Sequence, residues 1–82
     1  MSQENIEIKV KQVLSKQLEI DINKINTESL LVNDLGMDSF GAVELAFGLS
    51  DEFNIKVPLE DLGAIKKVED VVDYIGKKQG GK

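Results

Sequence analysis

Apolar residues recur three and four positions apart in three separate stretches of this chain, with no strand pattern beside them. That spacing lines large side chains along one face of a helix. The first stretch, residues 4–18, places Ile6, Val10, Val13, Leu14 and Leu18 on one stripe and lysines and glutamates on the other side. Ile8 lies off the stripe and is a candidate for exposure. The second runs over roughly 39–53, with Asp38 as a good N-cap. The third covers 68–76, with Val68, Val71, Val72 and Ile75 on one face. Its start is poor, because Lys66 and Lys67 sit where the helix dipole favours acids.

The connections complete the expectation. Pro58 biases Val57 toward an extended backbone and closes off the second helix. Residues 59–64 have room for one short helical turn, limited by Gly63. Residues 19–37 form a long connection, unusual in a small domain. Its scattered Ile20, Ile22, Ile25, Leu30, Leu31 and Leu35 should pin it against the helices. The expected fold is all-α: a small four-helix bundle of three longer helices and one short one, with a long loop between helices one and two. Residues 1–82 should form one monomeric domain, frayed over 1–3 and 77–82.

Composition excludes several kinds of chemistry. With no cysteine and no histidine, the chain has no disulfide framework and lacks the usual zinc and iron ligands, so no metal site is expected. No apolar run approaches the roughly 18 residues of a membrane span, and the polar start MSQENIEIK does not read as a secretory signal. A cytoplasmic protein is the default expectation. Residues 25–61 carry eight acids against one lysine, a net charge of −7 within a chain of −5. An acidic middle argues against nucleic acid. It suits partners with basic patches, or it serves solubility alone.

The second helix has two apolar faces. On a helical wheel Ala42, Leu45, Ala46, Leu49 and Phe53 cluster on one side. Phe40, Val43 and Phe47 cluster nearly opposite, with Glu44 and Asp51 beside them. One face serves the core. The other is either covered by the long loop or a docking surface with a polar rim. Gly41 and Gly48 lie on one side of this helix, each at a cost of up to about 1 kcal/mol against alanine, so something approaches closely there or softness is tolerated.

Ser39 follows the cap, near exposed backbone N–H groups that favour an anion such as a phosphate ester. Three roles are open to it. A Ser-His-Asp hydrolase is excluded by composition, and no lysine lies within six residues on either side for a Ser-Lys pair. Modification by a phosphate-bearing group is the second role. Plain help in capping the helix is the third.

The run Leu35-Gly36-Met37-Asp38-Ser39, followed by Val43-Glu44-Leu45, closely resembles the phosphopantetheine attachment motif of acyl carrier proteins. The resemblance extends through Glu52-Phe53, Ile55, Val57-Pro58 and the closing Val68…Tyr74-Ile75, so it covers nearly the whole chain. It implies a carrier, not an enzyme. Ser39 would take 4′-phosphopantetheine from coenzyme A as a phosphodiester, and Asp38 would help position metal and coenzyme during that transfer. The thiol of the arm would hold acyl intermediates of fatty acid, lipid or polyketide biosynthesis. The implied partners are a phosphopantetheinyl transferase and acyl-loading, elongating or acyltransferase enzymes with basic docking patches. They would read Phe40, Val43, Glu44, Phe47 and Asp51, and the acyl chain would slip in beside Leu45, Leu49 and Ile65. Phe40-Gly41 after the serine looks more like D-alanyl carrier proteins, so a specialised aminoacyl carrier is the alternative.

Overall fold

The computed structural model describes residues 3–80. It contains α1 (Gln3–Leu18), α2 (Ser39–Phe53), α3 (Val68–Gly80) and a short 3-10 helix, Leu59–Ala64. No strand is present among the described residues, so the all-α expectation stands. No helix among them is long and apolar enough to cross a membrane. The expected fraying over 1–3 and 77–82 falls partly outside the described residues; within them, Gln3 and residues 77–80 are helical.

α1 packs against both α2 and α3 and organises the bundle. Its stripe of Ile6, Val10, Val13 and Leu14 meets Leu45, Leu49 and Phe53 of α2 and Val68, Val71, Val72 and Ile75 of α3 in one core. Ile8, off the stripe, is 50% exposed. Gly48 marks the tight point of the α1–α2 contact. A Cβ there would lie 2.9 Å from the Gln17 side chain and 3.1 Å from Val13 Cγ1. Glycine here leaves room for the close approach of α1, although Gln17, a flexible side chain, could yield.

The connection between α1 and α2 is ordered in two ways. Ile25 and Leu31 are buried in the core and Ile20 and Leu35 pack partly against it, as expected. Met37 is buried there too, whereas Ile22 and Leu30, also expected to pin the loop, are only partly buried and do not join the core. A single 3-10 turn, Ile22–Lys24, breaks the stretch. Backbone bonding, which the sequence did not disclose, adds the second restraint. The first amides of α3 point at this loop: Val68 N–H donates to Ser29 O at 3.0 Å and Glu69 N–H to Thr27 O at 2.9 Å. Leu31 N–H donates to Lys66 O at 2.9 Å. The loop therefore satisfies donors that a helix start leaves without partners.

Two sequence expectations need correction. The start of α3 is well capped, because Asp70 reaches back and its Oδ2 accepts from the Lys66 and Lys67 amides, each at 3.1 Å. This is the acidic half of a capping box, and the two lysines enter through their backbones. α2 is closed by Asn54 before Pro58 is reached. Asn54 adopts the left-handed conformation (φ 56°, ψ 48°) and donates its N–H to Ser50 O, a C-terminal role that asparagine tolerates.

Candidate functional site

The site begins at the entrance of α2. Met37 is buried and anchors the incoming chain, its N–H donating to Leu31 O at 2.9 Å. Gly36 takes φ +76°, which only glycine adopts at no steric cost, and so turns the chain into the helix. Asp38 is the N-cap, with Oδ1 accepting from Gly41 N–H at 2.7 Å. A Cβ on Gly41 would sit 3.2 Å from that oxygen and 3.2 Å from Met37 Cγ. Glycine at 41 thus keeps the capping carboxylate and the anchor in place.

Ser39, the next residue, is exposed, and its hydroxyl makes no hydrogen bond among the described residues. It borders a cleft of about 570 Å³ whose apolar lining includes Met37, Ala42, Leu62 and Ile65. Lys66, at the start of α3, lines the same cleft and is exposed. A search along the sequence for a lysine near Ser39 misses it, because the fold brings it in from another element. A lysine that serves as a catalytic base must be desolvated; Lys66 is not. The arrangement presents an available hydroxyl, a partly apolar cleft and one cation. It offers no activated nucleophile.

The other predicted site residues divide between surface and interior. Phe40 is 70% exposed and Phe47 is 69% exposed, so the loop does not cover this face of α2. Val43 and Glu44 are half-buried and Asp51 is exposed. Ile65 lines the cleft, whereas Leu45 and Leu49 are packed in the core and do not reach it. No cluster of His, Cys, Asp or Glu able to hold a metal ion occurs among the described residues. On the far side of the 3-10 helix, Tyr74 donates its hydroxyl to Asp61, tying that element to α3. Loss of hydration on burial, then the Asp61 bond and charge, push the Tyr74 phenol up to about 12.

A serine hydroxyl exposed at a helix start and bordering a cleft is open to modification. Residues 9–75 match the family described as the phosphopantetheine attachment site. Over 70 residues the chain is 40% identical to the acyl carrier protein of Bdellovibrio bacteriovorus, covering 85% of this chain and 90% of that protein. The chain belongs to the phosphopantetheine-binding acyl carrier proteins. Membership implies a phosphopantetheinyl transferase and acyl-processing enzymes as partners, and it makes the protein a carrier, not a catalyst. The residues fit the family's group: a free hydroxyl at a helix start, with the Ser39 and Phe40 amides lacking acceptors among the described residues, suits a phosphate ester.

Proposed function

We propose that Ser39 carries 4′-phosphopantetheine through its Oγ and that the protein shuttles acyl intermediates between cytoplasmic enzymes of fatty acid, lipid or polyketide biosynthesis. The observation that carries this reading is the exposed, unbonded Ser39 hydroxyl at the first position of α2, opening on the cleft. When bound, the arm supplies a thiol that holds cargo as a thioester, a group this cysteine-free chain lacks. Asp38 caps the helix start and so holds the backbone of Ser39 at the entrance of α2. Among the described residues no base is enclosed beside Ser39, which supports a reading in which the transferase supplies the base that takes its proton. Cargo would first meet the cleft wall at Ile65; Leu45 and Leu49 come within reach only if α2 and the 3-10 helix part. Partners with a basic patch around an apolar dent would dock on Phe40, Val43 and Phe47, steered by Glu44 and Asp51. Exposed ion pairs contribute only about 0–1 kcal/mol each, which suits a carrier that must leave after every step.

Incubation with a phosphopantetheinyl transferase and coenzyme A should add one phosphopantetheine by intact mass, and Ser39→Ala should abolish the addition. An unchanged mass in the parent protein would overturn the reading. The run Asp38-Ser39-Phe40-Gly41 favours a second reading, an aminoacyl cargo on the same arm. The mass of the thioester isolated from the native host decides between the two.

A further inference from the structure

Lys66 is placed with unusual definition for a surface lysine. Its N–H donates to Asp70 Oδ2 at 3.1 Å, and its carbonyl accepts from Leu31 N–H at 2.9 Å. One bond comes from α3 and the other from the segment leading to Ser39, so the base of the side chain is fixed relative to α2. Lys66 lines the cleft that Ser39 borders and is the one cationic residue in that lining. It forms no ion pair among the described residues, whereas its neighbour Lys67 lies 3.9 Å from Glu69. The acidic residue in the same lining is Asp38, whose carboxylate accepts from Gly41 N–H yet still opposes any second anion. A phosphodiester at Ser39 would therefore stand beside a like charge in the most acidic part of the chain.

We propose that Lys66 pairs with the phosphodiester of an arm joined at Ser39, offsetting the Asp38 charge and directing the first part of the arm along the cleft. This inference rests on the Ser39 reading given above. It assigns Lys66 a positioning role, and it predicts that the sidedness of the arm depends on charge at residue 66. A pair of this kind is exposed, so it strengthens as ionic strength falls.

The test uses full-length protein loaded with cargo-free phosphopantetheine, with loading verified by intact mass. The phosphorus resonance of the phosphodiester is compared by NMR in the parent, Lys66→Gln, Lys66→Arg and Lys67→Gln at low and high salt. The expected result is a resonance displaced in Lys66→Gln at low salt, converging with the parent at high salt, and unmoved in Lys66→Arg and Lys67→Gln. Hydrogen exchange of the Leu31 amide, which reports the Leu31–Lys66 bond, should slow on loading by about two- to fivefold in the parent and not in Lys66→Gln. Coincident resonances for parent and Lys66→Gln at low salt, or an equal displacement in Lys67→Gln, would overturn the proposal while leaving the Ser39 reading intact. Failure of the parent to load would remove both. A slowing of exchange only when an acidic cargo is attached would also overturn it, because the pairing anion would then be the cargo.

Discussion

Replacing Asp70 by alanine removes the carboxylate that organises the entrance of α3. Two backbone amides lose their acceptor, those of Lys66 and Lys67, each now at 3.1 Å. Loss of a capping side chain costs about 0.5–2 kcal/mol. Asp70 is half-exposed, so water can replace part of the bonding, and about 1 kcal/mol is the expected loss. For a domain of this size that lowers Tm by about 4–8 °C. The pH dependence gives an independent check. The Lys66 amide bond first, then the Lys67 amide bond, hold the Asp70 carboxyl below its ordinary 3.8, with the Lys67 charge helping and partial burial opposing. A carboxylate with a depressed folded value stabilises the fold above its unfolded value. That contribution is lost as pH falls through the lower, folded value. The gap between parent and Asp70→Ala, measured by thermal or urea unfolding, should therefore be constant from neutral pH down to about 5 and close below the ordinary carboxylate range. Equal stability of the two proteins at neutral pH would refute the capping argument. A gap that persists where the parent carboxyl is fully protonated would refute the electrostatic part of it.

Two further predictions concern other faces of the molecule. Glu44→Lys should slow association with a basic partner enzyme and flatten its salt dependence in stopped-flow measurements, because Glu44 edges the exposed Phe40–Phe47 stripe; equal rates across ionic strength would contradict the docking role. Tyr74 is the sole tyrosine, so tyrosinate absorbance reports it alone. It should titrate near 12 in the folded protein and near 10 in urea. The phenol's folded value is raised, so its contribution to stability is complete below the unfolded value and lost as pH rises through the folded one. Asp61→Asn should bring the folded titration down, and an unmoved curve would show that Asp61 is not the partner.

What could be read from the sequence was local. Helix α2 was legible to the residue because its cap, its apolar stripe and its serine all lie within one continuous run. The 3-10 helix was legible because Pro58 precedes it and Gly63 falls inside it. The misread start of α3 and the missed cleft share a different cause. The cap of α3 comes from a residue inside the helix together with carbonyls of the distant loop, and no scan for capping residues ahead of a helix detects either. The cleft escaped for the same reason: its walls, Met37 and Ile65 among them, come from segments that are remote in sequence. Lysine proximity to Ser39 was likewise a tertiary property, set by the Leu31–Lys66 backbone bond.

The second apolar face of α2 is where folding and function separate. α1 approaches α2 at Gly48 through Val13 and Gln17, and this close contact buries Leu45, Leu49 and Phe53. No described residue then covers Phe40 or Phe47, which remain about 70% exposed. Full burial of a phenylalanine stabilises a protein by about 1.5–3 kcal/mol, and a domain of this length has only roughly 4–12 kcal/mol in total. Leaving two such side chains in water forgoes a substantial fraction of that margin. Polar residues at 40 and 47 would cost the fold nothing that the structure shows. The pair therefore fits the docking surface proposed above, on the same helix that begins at Ser39.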